Sequence, residues 1–201
     1  MSLGTCSPSS VPYLLLIGGD SPSGTPLTAY VPDVGPSATT YTSSGTLSAT
    51  IEARTVQLHR NTGGESSALW DLGQPDYTLT CWLTITPATE DAGVLVRAAD
   101  AANGWLIDLD GTLGQVVLYQ LEAGVFSSVS STALSASAAG THYAQVTCSA
   151  DTISVTVDFN DTITYTSASF GATATLGGVF LGGESTSPSV QFAGLSVVPL
   201  P

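Results

Sequence analysis

Two aspartates alternate with leucine in Ile107-Asp108-Leu109-Asp110-Gly111, and a strand there sets both carboxylates on one sheet face about 7 Å apart. Paired carboxylates on one face can do glycoside hydrolysis, one protonating the leaving oxygen and the other acting as nucleophile or base. Here Gly111 turns the chain immediately after the pair. Asp110-Gly111 therefore reads as a hairpin turn and Asp108 as a polar residue on the solvent or concave face. Binding is the better-supported chemistry. A sugar stacks its apolar face on an exposed ring while neighbouring amides and carboxylates hold its hydroxyls. Trp82 is the leading candidate for such a ring, with Arg97, Asp108 and Tyr119 beside it if the strands pair in order. Each also has a plain structural use. Neither His59 nor His142 stands in a zinc or nucleophile pattern with a nearby Cys, Asp or Glu.

These residues must be positioned by strands. Between Asp76 and Gln120 three long strands follow one another, and in the first of them Tyr77, Leu79, Cys81, Leu83 and Ile85 share one face while Thr78, Thr80, Trp82 and Thr84 share the other. From Thr25 onward no run carries helical periodicity. Strands are expected near 26–31, 45–60, 66–71, 76–86, 92–99, 104–110, 114–121, 124–129, 141–149, 152–158, 161–165, 177–182 and 190–198. So many strands need two stacked sheets to bury their apolar faces, which predicts an all-β jelly-roll sandwich. Residues 1–24, rich in Ser, Pro and Gly, read as an extended arm ahead of a domain at 25–201. The apolar run at its end either docks on a neighbouring subunit or forms an edge strand of its own domain.

Charge narrows the partners. The 201 residues carry 16 acidic side chains against three basic ones, Arg54, Arg60 and Arg97, and no lysine. Such a chain repels phosphate backbones and anionic membranes. The Leu14-Leu15-Leu16-Ile17 run has no basic residue before it and is too short to span a bilayer, so it reads as neither signal peptide nor transmembrane helix. Cys6 lacks the apolar segment that lipidation requires ahead of it. Three cysteines exclude a closed disulfide framework, and Cys81 and Cys148 fall on apolar strand faces as small buried residues.

The order of motifs resembles the concanavalin A-like jelly rolls of the laminin-G type over residues 25–200. The matching segments are Asp76 to Cys81, Ala92 to Arg97, Asn103 to Leu109, Val116 to Tyr119 and Phe192 to Val197. The opening Leu27-Thr28-Ala29-Tyr30-Val31-Pro32-Asp33-Val34-Gly35 is similar to laminin-G-like domains of bacteriophage virion proteins, minor tail proteins above all. The enzymatic branch of this superfamily carries Glu-x-Asp-x-Glu on one strand, which this chain lacks. The resemblance also implies a calcium site at a sandwich rim, for which Asp100 and Asn103 are the candidates, against their simpler use as a turn. No other cofactor is expected.

It implies a non-enzymatic virion surface protein, a minor tail or capsid decoration component with weak, multivalent glycan binding. Its arm would contact other virion proteins or the mates of a homo-oligomer such as a trimer. The alternative is a secreted, extracellular carbohydrate-binding or adhesion module.

Overall fold

The alternation along Tyr77 to Ile85 is realised as a strand whose odd-numbered residues are buried and whose Trp82 points outward. A computed structural model describes residues 15–17, 25–29, 32, 35–42, 47–52, 55–60, 64–86, 91–137, 139–166, 170–183 and 189–200. The strands in chain order are β1 (Leu15–Leu16), β2 (Thr25–Pro26), β3 (Thr39–Thr42), β4 (Leu47–Glu52), β5 (Thr55–Arg60), β6 (Ser66–Asp71), β7 (Tyr77–Ile85) and β8 (Asp91–Asp100). They continue as β9 (Asn103–Asp110), β10 (Gln115–Glu122), β11 (Val125–Ala133), β12 (Gly140–Ser149), β13 (Thr152–Val157), β14 (Asp161–Thr166), β15 (Leu176–Leu181) and β16 (Ser189–Pro199). Among the described residues the only helical element is a 3-10 turn at Leu27–Ala29.

Two antiparallel sheets form. The nine-stranded one runs β14-β13-β12-β7-β16-β5-β4-β2 with β1 against β16, and the seven-stranded one runs β11-β10-β9-β8-β15-β6-β3. Their facing sides enclose one apolar core, in which Trp70, Tyr77, Trp105 and Phe192 are the bulkiest apolar members. The Trp105 indole N–H donates to the Phe170 carbonyl at 3.0 Å, so this ring is buried without a polar penalty. Cys81 and Cys148 lie in this core as free thiols, pushed up to about 12 by burial. They sit on neighbouring strands four residues apart in register, Cys81 opposite Ala144 and Cys148 opposite Tyr77.

Three expectations need correction. The stretch 45–60 is a hairpin of β4 and β5 rather than one strand. The strand expected at 26–31 ends at Pro26 and passes into the 3-10 turn. Strand β3, Thr-Thr-Tyr-Thr, lacks a strong apolar alternation and falls where no strand is expected. Of the expected arm, Leu15–Leu16 pairs with Ser196 and Val197 and the Ile17 amide donates to the Leu195 carbonyl, so the apolar run is a strand of its own domain. Residues 1–14 and 18–24 lie outside the described residues.

The outer sides of the two sheets differ. On the nine-stranded sheet β7, β12 and β13 alternate regularly between buried and partly exposed residues. On the seven-stranded sheet β8 and β9 are buried on both sides, because a second apolar cluster of Leu69, Leu95, Ala98, Leu106, Leu121 and Phe180 covers the outward face.

Candidate functional site: an acidic cleft on the seven-stranded sheet

The outward face of the seven-stranded sheet carries Asp108 and Asp110 from β9, with Gly93 of β8 opposite Asp108 and Asp91 opposite Asp110. This register is not the one that the β8–β9 hairpin starts with. Asp100 pairs with Asn103 at the turn, but beyond it Val96 pairs with Trp105, so β8 holds two extra residues in a bulge over 97–99. Without the bulge Leu95 would face Asp108. With it, a glycine does. A side chain at Gly93 would run into the Ile107 carbonyl oxygen, which explains why only glycine fits there.

Arg97 holds the bulge. Its backbone is left-handed at φ 45°, its amide donates to the Tyr77 hydroxyl at 3.0 Å, and its side chain is 0% exposed. The guanidinium donates to the Pro75 carbonyl at 3.1 Å and to the Asp76 carboxylate at 2.6 Å. A left-handed arginine costs about 1–3 kcal/mol unless its surroundings enforce it, and these bonds do so. Arg97 was expected among the glycan-contacting residues. Its full burial removes it from any contact surface and makes it a positioning residue for the acidic face.

Above this face lies a cleft of about 360 Å³, lined by Asp91, Asp108, Asp110, Glu65, Leu106, Tyr119, Phe126 and Phe180 together with Gly64, Gly182 and Gly183. Tyr119 and Phe126 meet edge to face at 5.9 Å, and Phe126 and Phe180 at 6.1 Å, so three rings wall one side. A second depression of about 310 Å³ shares Glu65 and Phe180 and runs on past Tyr41 and Ser67. Glu65 and Phe180 thus line both depressions.

Asp108 is the anomaly of the cleft. It is 4% exposed, and its Oδ1 is buried with no hydrogen-bond partner. An unmade hydrogen bond on a buried polar atom costs about 1–3 kcal/mol, so such an atom marks a place where a further partner would be welcome. Burial first, then the charges of Asp91 and Asp110, holds the Asp108 carboxyl well above the usual carboxylate range. The Tyr119 hydroxyl is raised by partial burial and then by Asp108, Asp110 and Asp91. Asp110 is committed on one oxygen, Oδ1, which accepts from the Thr112 and Leu113 amides at 2.8 and 2.7 Å and closes the turn into β10 as expected of Asp before Gly.

The structure brings Asp108 and Tyr119 together and separates them from Trp82. The expectation that these residues share a surface with Trp82 fails because β7 and β8, consecutive in sequence, belong to different sheets. Trp82 is 44% exposed on the outward face of the nine-stranded sheet, tilted against Tyr143 at 5.1 Å. Tyr143 in turn stacks on Phe159 at 4.6 Å. His142 is buried and reaches the Asp158 carboxylate at 2.8 Å beneath this row.

The calcium candidates Asp100 and Asn103 are engaged in the β8–β9 turn. Asp100 Oδ1 accepts from the Ala102 amide and the Asn103 side-chain amide, Oδ2 accepts from the same Asn103 group, and Asn103 Oδ1 accepts from the Ala123 amide. These bonds give them the turn role that Asp and Asn have between two strands. Among the described residues no three His, Cys, Asp or Glu side chains are grouped to hold an ion.

Asp91, Glu65, Phe126 and Phe180 were missed as site residues. Asp91 falls in register with Asp110 only through the bulge, and Phe180 comes from a distant strand that inserts between β8 and β6. The one local signal was Asp108 itself, a charge inside the apolar run from Trp105 to Leu109.

No protein-family model matches this chain, and no curated protein sequence matches it. Solved structures do. The carbohydrate-binding module CBM66 from Bacillus subtilis superposes with a TM-score of 0.63 at 19% identity, over 79% of this chain and 94% of its own. The exoplasmic/lumenal domain of VIP36 in its Ca2+-bound form gives 0.63 at 11% identity, over 88% of this chain and 89% of its own. The same domain bound to Ca2+ and Man3GlcNAc gives 0.59 at 11%, over 82% and 85%. At these identities the likeness shows the fold: this chain is a jelly-roll sandwich of the concanavalin A-like kind, with the architecture of carbohydrate-binding modules and lectin domains.

Proposed function

We propose that this protein is a non-catalytic carbohydrate-binding module whose ligand occupies the cleft on the seven-stranded sheet. The observation that carries the reading is the buried, unpartnered Oδ1 of Asp108 among the aromatic side chains Tyr119, Phe126 and Phe180. A sugar ring supplies what this surface lacks, a hydroxyl or other donor for the carboxyl and an apolar face for the rings. The likeness to CBM66, and to a VIP36 domain solved with Man3GlcNAc, supports it. Hydrolysis is disfavoured because the turn at Gly111 ends the carboxylate row and Asp110 is engaged by two amides.

A glycan array tests the reading. Specific binding is expected, weakened about tenfold or more in a Tyr119→Ala protein through loss of the stacking ring. Release of reducing sugar from a bound glycan would overturn the non-catalytic part. A virion surface remains the proposed setting, on the strength of the Leu27 to Gly35 resemblance, since many copies there would raise weak affinity into useful avidity. Immunogold label absent from particles would move the module to the extracellular, secreted setting.

A further inference from the structure

We propose that the ligand is an extended oligosaccharide that crosses the strands of the seven-stranded sheet, from Asp108 to a second stacking ring at Tyr41. The inference rests on the carbohydrate-binding reading and deepens it by fixing the ligand's length and path. Strand register carries it. Tyr41 of β3 lies opposite Ser67 of β6, Ser67 opposite Phe180 of β15, Phe180 opposite Gly93 of β8, and Gly93 opposite Asp108 of β9. Residues directly opposite one another in a sheet share a face, so these residues form one row on the outward side. Neighbouring strands stand about 4.8 Å apart, so the row runs for about 19 Å.

The two depressions lie along this row. Phe180, at its centre, lines both, Asp108 lines one, and Tyr41 and Ser67 line the other. At about 360 and 310 Å³, each alone sits at the lower end of the range for small-ligand pockets. Gly93 sets no side chain between Phe180 and Asp108. Tyr41 is half-buried and packs against the same outward apolar cluster as Tyr119 and Phe126. A ring held in this way offers an apolar face and has little freedom left to lose on binding. A chain of sugar rings presents apolar faces and hydroxyls in turn along its length. One end donates a hydroxyl to Asp108 Oδ1, the middle passes over Phe180, and the far end stacks on Tyr41. A hexose unit in an extended chain is about as long as one strand spacing, so about four units fill the row.

Calorimetry tests this with the strongest binder on the glycan array, prepared as a ladder of one to six sugar units. Affinity is expected to rise at least about tenfold between two units and four, and to level off beyond five. Tyr41→Ala, shown folded by its thermal transition, should abolish that rise and leave binding of the two-unit probe within about twofold of wild type. Tyr41→Phe keeps the ring and should keep the rise. Tyr119→Ala, in the other depression, should weaken every length. The Ser67 amide gives a readout without substitution at Tyr41: its NMR signal should move with the four-unit probe and stay still with the two-unit one. Full affinity already at one or two units would seat the ligand in the Asp108 depression alone and overturn the inference, leaving the carbohydrate reading standing. A rise that survives Tyr41→Ala, or a Ser67 signal unmoved by four units, would overturn the assigned path. No binding on the array or by any length of the ladder would sink both.

Discussion

The two sheets turn unlike faces to solvent. The nine-stranded sheet shows Thr78, Thr80, Thr84, Thr141, Gln145 and Thr147 around Trp82 and Tyr143, with hydroxyls paired across strands as in Thr78–Thr147 at 3.0 Å and Thr80–Ser196 at 2.8 Å. The Thr84 and Thr141 hydroxyls pair in the same way at 3.0 Å, so these hydroxyls satisfy one another. The seven-stranded sheet buries apolar side chains on its outer face and leaves one carboxyl oxygen unsatisfied among them. Exposed aromatic rings are thus the weaker signal in this molecule. Among the described residues three buried atoms lack a partner, Trp70 Nε1, Arg97 Nη1 and Asp108 Oδ1, and of the three only Asp108 lines the cleft, which makes it the stronger signal.

This contrast can be broken most forcefully at Arg97. Replacing it with Ala removes the bonds that hold the bulge and should cost about 3 kcal/mol, read as a lower urea midpoint. Glycan binding should be lost with it, since Asp91 and Gly93 leave register with Asp110 and Asp108. A variant equally stable, with binding intact, would show that the bulge does not organise the cleft.

A smaller effect follows from Asp108. Its folded pKa is raised, so the native state holds a proton that the unfolded chain releases, and stability falls as pH rises from about 4 towards the folded value. The contribution is fully present below that window and is lost above it. Asp108→Asn should remove this slope, so that the difference in unfolding free energy between wild type and variant changes with pH in the variant's favour. Parallel pH profiles would contradict the assigned burial. The smallest effect is expected for Trp82→Ala, which loses a tilted ring contact on an exposed face and should cost about 1 kcal/mol or less, with glycan binding unaffected.

Much of the fold was legible because β7, β12 and β13 alternate with period two, and alternation names the buried face directly. Cys81 and Cys148 were placed by the same rule. The cleft was half legible. Asp108 and Tyr119 stand out as site residues by their types, but β8 and β9 are buried on both faces, and a mostly apolar run does not say which side meets the other sheet. Trp82 joins them only if neighbouring strands pair in order, whereas the chain crosses between sheets after β7. The role of Arg97 was hidden for another reason. Its φ is set by Asp76, Pro75 and Tyr77, which only the folded chain brings to it.

The proposed function requires that the acidic cleft, and not the aromatic row on the opposite sheet, receive the ligand. Amide and indole NMR shifts recorded during titration with an array-positive glycan test it most directly. Movement is expected at Asp108, Tyr119, Phe126 and Phe180 with the Trp82 indole N–H unchanged. Movement of the Trp82 indole and the Tyr143 amide, with the cleft signals still, would contradict it.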